Sequence, residues 1–312
     1  MSESITSNDH SFDVLDDVLR TLRFRGSVFF SPDLAAPWGM SVAESGVPRF
    51  HIALSGNCFV GADGEEPVHV QETDIVLLSN GDSHWIADEP GRELISSESA
   101  ARACELNNPL FQTSETTNRI LCGLVRFDQG ATHPILDSLP QLLHFSMLHA
   151  IDPIRMTAAL IDTELRRAAA QGGSIVDRLA EVLFLQLLDH HLSNNELTTG
   201  FLSALRDRRI HQALSLIHQQ PELDWSLARL GEQTGMSRAT LVRRFQDTVG
   251  LAPMAYIANW RLTKAYNLLK YSAASLEQVA DTVGFASART LSRAFNRHFG
   301  YTPNELRRGQ HL

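Results

Sequence analysis

The C-terminal third of this 312-residue chain repeats itself, so its fold must accommodate two copies of one helical unit. Five positions recur 49 residues later, and seven further positions recur 50 residues later. They are Leu227, Leu230, Thr234, Gly235 and Met236 against Leu276, Val279, Val283, Gly284 and Phe285, then Ser237, Thr240, Leu241, Arg243, Phe245, Gly250 and Pro253 against Ser287, Thr290, Leu291, Arg293, Phe295, Gly300 and Pro303. The change of offset puts one extra residue in the second turn.

Each copy has the outline of two short helices joined by a tight turn. Gly235 and Gly284 stand where a helix stop needs the left-handed conformation. Ser237 and Ser287 stand where a hydroxyl can cap the first turn of the next helix. Helix, glycine turn and capped helix is the outline of a DNA-reading motif, so the sequence predicts two helix-turn-helix units.

Helical periodicity separates an apolar stripe from a polar face on each second helix. The stripes are Leu241, Phe245 and Val249 in one copy and Leu291, Phe295 and Phe299 in the other. The opposite faces carry arginine and threonine, which can bond base edges in the major groove. An ordinary solvated face is the alternative, and the paired repeat argues against it. The expected DNA-binding residues are Arg238, Ala239, Thr240, Arg243, Arg244, Ala288, Arg289, Thr290, Arg293 and Arg297.

Charge is distributed unevenly along the chain. From Phe201 onward there are 15 Lys and Arg against 8 Asp and Glu, whereas residues 1–200 carry 12 against 28. The whole-chain net charge of −9 hides this asymmetry. A basic C-terminal part supplies a salt-sensitive, sequence-independent attraction to phosphate.

At residues 205–309 the chain resembles the AraC/XylS family of bacterial transcription regulators. The resemblance is carried by the run 235–245 (GMSRATLVRRF) and by Gly250-Leu251-Ala252-Pro253, Trp260-Arg261-Leu262, Ala265, Val279-Ala280, Gly284-Phe285, Ser292-Arg293-Ala294-Phe295 and Gly300-Tyr301-Thr302-Pro303. It implies a long helix from Pro253 to about Leu269, with Ile257, Trp260 and Leu268 turned inward. That helix would set the two units about one turn of duplex apart, roughly 34 Å.

The same resemblance implies double-stranded DNA and RNA polymerase as partners. The bound protein would recruit or block the polymerase; we expect an activator, and a repressor is the alternative that the sequence leaves open. Base contacts would fall at Ala239, Arg243, Arg289, Thr290 and Arg293. Ala239 departs from relatives that carry a larger side chain here, and its methyl group can touch thymine but cannot donate a hydrogen bond. The operator sequence therefore stays open.

The first two thirds of the chain predict a β-rich domain followed by helices. Short apolar runs separated by turn residues, from Arg25 to about Phe127, indicate an antiparallel sandwich or barrel. The stretch from Asp88 to Asn118 is polar and is expected to be an excursion from this sandwich or barrel. The first ten residues are polar and no apolar stretch is long enough to span a bilayer, so we expect a cytoplasmic protein without a membrane partner.

Two segments in this region resemble cupin signatures. Residues 74–84 (DIVLLSNGDSH) are similar to the second signature, with Ser79 where proline is usual. Phe50 to Gly56 is similar to the strand before the first turn, but the usual histidine and glutamate cluster is absent. The resemblance implies a cupin-type sensor domain that responds to a small molecule or an oxidant.

The candidate ligand or sensor residues are His51, His84, Cys58, Cys104 and Cys122. His51 and His84 are also the candidate metal ligands, with a thiolate to complete a site. The alternatives are hydrogen-bonded barrel histidines and buried, inert cysteines. Two firm ligands are too few for a metal centre, so the sequence predicts neither a cofactor nor catalytic residues.

The complete expectation is a two-domain α+β chain. A cupin-like antiparallel β-barrel with a helical appendix (1–192) is followed by a linker (193–204) and an all-α tandem helix-turn-helix domain (205–312). Leucine-rich helices after Pro153 are read as core, and the family resemblance adds a homodimer interface there. We expect a transcription regulator and not an enzyme; a cupin-type metal-dependent enzyme with a DNA-binding appendage is the alternative.

Overall fold

The computed structural model describes residues 9–62, 65–106, 111, 115–127, 134–137, 139–146, 153–167, 173–194 and 200–309. The first part contains α1 (Asp9–Leu22), β1 (Phe24–Phe30), β2 (Asp33–Leu34), β3 (Gly39–Val42), β4 (Arg49–Ser55), β5 (Cys58–Ala62), β6 (Val68–Val70), β7 (Ile75–Leu78), β8 (His84–Ala87), β9 (Ile95–Ser96), α2 (Ser97–Glu105), β10 (Asn118–Phe127), α3 (Pro134–Asp137) and β11 (Leu142–Phe145).

The second part is helical. It contains α4 (Pro153–Arg167), α5 (Ser174–Asn194), α6 (Gly200–Ala204), α7 (Arg208–Gln219), α8 (Leu227–Thr234), α9 (Arg238–Val249), α10 (Pro253–Tyr271), α11 (Leu276–Val283), α12 (Ala288–Phe299) and α13 (Pro303–Arg308). By packing, the chain divides into two units, which we name after the expectations from the sequence: the sensor unit (24–127 and 139–195) and the DNA-binding unit (1–23, 128–138 and 196–312).

The sensor unit is built on two facing sheets. The first has the order β1-β10-β4-β7-β11, with β2 also paired to β10, and the second has the order β6-β5-β8-β3-β9. Strand pairs are antiparallel except for β3 with β9. Among the described strands neither sheet closes on itself, so the predicted barrel takes the form of an open two-sheet cupin-like fold.

The core of the sensor unit lies between these sheets. The first sheet contributes Ala53, Val76, Leu78, Ile120 and Cys122, and the second contributes Met40, Cys58, Val60, Val70 and Ile86. Side chains alternate across a strand, so every second residue reaches this layer. The predicted β-rich region is confirmed: its short apolar runs at Phe50–Leu54, Cys58–Val60, Ile75–Leu78 and Leu121–Val125 form strands within β4, β5, β7 and β10. The polar excursion 88–118 contains β9 and α2.

Helices α4 and α5 pack on each other, and α5 also packs on β1. A Cβ at Gly26 of β1 would lie 2.7 Å from the Glu181 nitrogen, so glycine permits this close approach. Both helices also present exposed apolar side chains: Met156 and Leu160 on α4, and Ile175, Val182 and Leu185 on α5.

The DNA-binding unit includes α1 from the start of the chain, because α1 packs against α7 and α10. Val18 and Leu22 are fully buried in that contact. The Asp17 carboxylate accepts hydrogen bonds from His218 Nδ1 at 2.9 Å and Lys264 Nζ at 3.4 Å. The predicted domain limits 1–192 stay a prediction, and this long-range contact is the physical reason that α1 packs with the helices of the DNA-binding unit.

Helix α6 lies inside the segment predicted as a linker, and it buries Phe201 and Leu202. Residues 195–199 of that segment lie outside the described residues. The linker limits 193–204 therefore stay a prediction, and the described part of the segment is helical at both ends.

The tight packing of Gly123 against Phe50 gives a stability prediction. These residues face each other on β10 and β4, and a Cβ on Gly123 would lie 2.1 Å from the buried Phe50 ring. We expect Gly123→Ala to lower the free energy of unfolding by about 1–3 kcal/mol, because an enclosed ring cannot move away. Urea denaturation of the full chain, followed by circular dichroism, measures the change.

Gly173→Ala is the matched control, since no described atom lies within 4 Å of its added Cβ and its backbone is not left-handed. Equal stabilities of Gly123→Ala and the unaltered chain would contradict the packing of Phe50 over Gly123.

Candidate nucleic-acid interface and sensor cluster

The first helix-turn-helix has caps at every helix end that the sequence marks. Ser226 accepts a hydrogen bond from the Arg229 amide at the start of α8, and Gly235 ends that helix with φ 61°. Ser237 then accepts a hydrogen bond from the Thr240 amide at the start of α9. The predicted stop and cap are confirmed, and they fix the direction in which α9 leaves the turn.

The second helix-turn-helix repeats these features. Ser275 and Gln278 form a capping box at the start of α11, and Gly284 ends the helix with φ 79°. Ser287 accepts a hydrogen bond from the Thr290 amide at the start of α12. Three residues separate α8 from α9 and four separate α11 from α12, as the change of offset predicts.

The second helices of the two helix-turn-helix units, α9 and α12, are called the recognition helices below. The long helix α10 covers the apolar stripes of both. Phe245 of α9 and Phe295 of α12 are both 0 % exposed. Phe245 contacts Tyr256 with ring centroids 5.6 Å apart, and Phe295 contacts Tyr266 at 6.5 Å. Trp260 is also buried, and Leu262 and Leu269 of α10 lie in one apolar cluster with Phe295, so α10 contributes to the cores of both halves.

The faces opposite the stripes are open to solvent. On α9 the side chains of Arg238, Ala239 and Arg243 are exposed, and on α12 those of Arg289, Thr290, Arg293 and Arg297 are exposed. Thr240 and Ala288 are half-buried. The hydroxyls of Thr240 and Thr290 lie 2.9 and 3.0 Å from the capping serine oxygens, which orients them.

Arg244 differs from the other expected DNA-binding arginines. Its guanidinium forms an ion pair with Asp207, the residue that also caps α7 through the amides of Arg209 and Ile210. The position matching Arg244 in the second copy is Ala294. Arg244 therefore links α9 to α7 in this structure, and the sequence offered no local signal for that partner.

The interior of the sensor unit contains a chain of hydrogen bonds between its two sheets. His51 of β4 lies beside Cys122 of β10, with His51 Nδ1 3.1 Å from Cys122 Sγ. His51 Nε2 lies 2.8 Å from His84 Nε2 of β8. His84 Nδ1 lies 2.8 Å from the Asp82 carbonyl oxygen. We refer to Cys122, His51 and His84 as the sensor cluster.

The Asp82 carbonyl, at one end of this series of hydrogen bonds, determines which atom carries the hydrogen in each of them. A carbonyl only accepts, so His84 Nδ1 carries a hydrogen and its neutral ring accepts at Nε2. His51 then donates from Nε2 and accepts at Nδ1, and the Cys122 thiol donates to that nitrogen. Burial holds the pKa of His51 well below its ordinary value, and repulsion from the Arg49 guanidinium acts in the same direction. Burial likewise lowers the pKa of His84.

The two described cysteines are protonated and enclosed. Burial raises the pKa of Cys58 to about 12 and that of Cys122 to about 12. Cys58 belongs to the apolar core between the sheets. Cys104 is on α2, but its side chain lies outside the described residues, so its candidacy stays a prediction.

The cluster does not fit the metal that a cupin fold can hold. The two Nε2 atoms face each other in a hydrogen bond, and Cys122 Sγ lies on the opposite nitrogen of His51, so the three donors do not converge. Among the described residues no group of three or more histidine, cysteine or acidic side chains is arranged to hold a metal ion. His51 and His84 are thus brought together as predicted, but as hydrogen-bond partners.

Within the described part of the chain, no helix combines the length and apolar character needed to cross a membrane.

Comparison with known families finds two models that match successive parts of the chain. Residues 13–193 match the family model described as "Cupin", and residues 230–309 match the one described as "Helix-turn-helix domain". The first match covers more than half of the chain.

Whole-chain relatives are regulators of transcription. An "Uncharacterized HTH-type transcriptional regulator" of Haemophilus influenzae is 28% identical over 304 residues, covering 96% of this chain and 100% of the relative. A "Putative AraC-like transcription regulator" of Streptomyces antibioticus is 28% identical over 301 residues, covering 95% and 98%. The DNA-binding domain of AdpA, solved in complex with a target DNA, is 29% identical, covers 31% of this chain and 87% of that chain, and has a TM-score of 0.30.

Paired helix-turn-helix units behind a β-rich domain define a DNA-binding transcription regulator. The chain belongs to the AraC family of these regulators, in the group whose N-terminal domain is a cupin.

The buried histidines predict a pH-dependent stability. A histidine whose folded pKa lies below its ordinary value of about 6.5 stabilises the fold fully above that value. The contribution is lost as pH falls from about 6.5 towards the folded pKa, because the unfolded chain binds more protons there. We therefore expect the melting temperature of the full chain to fall between about pH 7 and about pH 5.5.

In the double variant His51→Gln/His84→Gln this pH dependence should be weaker, since glutamine hydrogen-bonds without binding a proton. His69→Gln, at an exposed site on β6, is the control and should keep the slope of the unaltered chain. If the melting temperatures of the double variant and the unaltered chain changed equally with pH, His51 and His84 would not be neutral in the folded chain.

Proposed function

We propose that this regulator reads two successive major-groove segments of double-stranded DNA, one with α9 and the other with α12. The observation that carries the proposal is the exposure of Arg243 and Arg293 at matching positions of two helices whose opposite stripes are buried. A guanidinium can bond the two acceptors on a guanine edge, and two such helices about one duplex turn apart suit one face of DNA. The proposed contact faces are completed by Arg238, Ala239, Thr240, Ala288, Arg289, Thr290 and Arg297.

The excess of basic residues after Phe201 supports the same proposal, because it supplies attraction to phosphate at any sequence. Once bound, the protein is proposed to act on RNA polymerase as an activator in the cytoplasm, where the DNA is. Its role is regulatory and not catalytic; the non-convergent donors of the sensor cluster give no support to the alternative of a metal-dependent cupin enzyme.

Replacing a proposed base-reading arginine gives the direct test. Arg243→Ala or Arg293→Ala should weaken binding to a duplex selected from a random library by about 1–3 kcal/mol, roughly 5- to 150-fold in Kd. Each variant should also lose its preference at one base pair of the selected sequence. Fluorescence anisotropy with the full chain measures both effects.

Arg126→Ala removes an equal charge from an exposed site of the sensor unit and is the control. If both arginine variants kept the affinity and base preference of the unaltered chain, α9 and α12 would not be the reading helices.

The signal is proposed to act at the sensor cluster. Its groups connect the two sheets through hydrogen bonds, so a small organic molecule that competes for them, or an oxidant that alters the Cys122 thiol, would change how the sheets are joined. Such a signal shifts activity only if it favours one of two arrangements of the regulator. Cys58 and Cys104 remain further candidates for an oxidant.

A homodimer is proposed to form through α4 and α5. Their exposed apolar side chains fall on one face of each helix: Met156 and Leu160, and Ile175, Val182 and Leu185. Apolar surface grouped in this way is typical of an interface, and membership of the family favours a second copy of this chain as the partner.

Introducing negative charge into that apolar surface tests the dimer. Leu160→Glu/Val182→Glu should convert a dimer into a monomer in sedimentation velocity experiments, because a carboxylate would be buried without a partner. Leu94→Glu changes a similarly exposed leucine away from these helices and should leave the dimer intact. A monomeric unaltered chain, or a double variant that stays dimeric, would refute this interface.

A further inference from the structure

Arg261 of α10 joins the two helix-turn-helix units through the backbone. Its Nε donates to the Pro221 carbonyl at 2.7 Å and its Nη2 to the Leu223 carbonyl at 2.7 Å. Its Nη1 donates to the Gly284 carbonyl at 2.9 Å. Pro221 and Leu223 lie in the loop between α7 and α8, whereas Gly284 lies in the turn between α11 and α12. One planar guanidinium therefore connects a loop of the first half to the helix-turn-helix turn of the second half.

The loop that receives Arg261 is itself held in place. The Trp225 indole donates to the Gln220 carbonyl at 2.9 Å, and the Trp225 amide donates to the Leu223 carbonyl at 2.8 Å. Trp225 is buried, and the Arg229 guanidinium lies over its ring. Arg261 thus donates to carbonyls of a loop that other contacts hold in place. The position of the second half relative to this loop is therefore restrained.

The same loop is in direct contact with the turn of the second half. A Cβ added at Gly284 would lie 2.7 Å from both Cα and the carbonyl oxygen of Glu222. At the matching Gly235, no described atom lies within 4 Å of the added Cβ. The left-handed conformation explains both glycines, but only Gly284 also serves a close approach between the halves.

From this arrangement we propose that Arg261 is a positioning residue that fixes the rotation and separation of α9 and α12, and thereby the spacing of operator segments that the regulator accepts. The inference rests on the proposed reading of two segments. Each base pair inserted between the segments displaces one by about 3.4 Å and rotates it by about 35°, so a rigid pair of helices tolerates only one spacing.

A spacing series tests the proposal. The probes are a duplex selected from a random library by the full-length unaltered chain, and versions of it with one, two or three base pairs inserted between the two protected segments. The unaltered chain should lose at least about tenfold in affinity on the first insertion. Arg261→Gln should bind the original duplex more weakly, because the halves must be ordered on binding, and should lose at most about threefold on insertion.

Arg308→Gln is the charge-matched control, an exposed arginine of the same unit, and it should keep the steep spacing dependence. Gly284→Ala is a second, independent variant, since its Cβ must push the turn away from Glu222, and its spacing dependence should flatten or move to a different spacing. Gly235→Ala carries the same backbone cost without the collision and should keep the original spacing.

The outcomes separate the two proposals. If the unaltered chain loses affinity steeply on insertion and folded Arg261→Gln and Gly284→Ala lose it equally steeply, that result overturns the role of Arg261. Absence of any spacing dependence in the unaltered chain overturns the reading of two segments. If Arg261→Gln fails to melt cooperatively, the comparison of Gly284→Ala with Gly235→Ala decides.

Discussion

The burial of one phenylalanine in each recognition helix is the constraint on which the DNA-binding unit depends. Phe245 and Phe295 occupy matching positions and both pack against tyrosines of α10. A helix that buries one stripe must present the opposite one, so the exposure of Arg243 and Arg293 follows from these two aromatic contacts. Burial of a phenylalanine side chain contributes about 1.5–3 kcal/mol to the stability of the fold.

In the sensor unit the corresponding constraint is the neutrality of a buried polar chain. Each donor from the Cys122 thiol to His84 has an acceptor, and the Asp82 carbonyl determines the direction of all three bonds. A group that entered this region would have to replace bonds that are already satisfied, so it must offer matching donors and acceptors.

The parts of the fold that the sequence predicts are those set by local chemistry. Gly235, Ser237 and their counterparts act within one or two helical turns, so the caps and turns could be recognised from spacing alone. The contact of Asp17 with His218 joins residues far apart in the chain, and no local pattern marks it. For the same reason the sequence paired His51 with His84 but did not predict which nitrogen would face Cys122, since that depends on the register of β4 against β10. Arg261 was visible only as part of a family motif, because its partners are backbone carbonyls, which leave no trace in residue types.

Helix α1 has a further consequence for the order of assembly along the chain. Helix α1 precedes the sensor unit in the chain but packs in the unit that follows it, and the chain passes to β1 within two residues of Leu22. A ribosome therefore releases the first helix long before α7 and α10 exist, and the sensor sheets are synthesised in the interval. The surface that Val18 and Leu22 cover is completed only when α1, α7 and α10 are all present, so a fragment that lacks α1 would leave an apolar groove open to solvent.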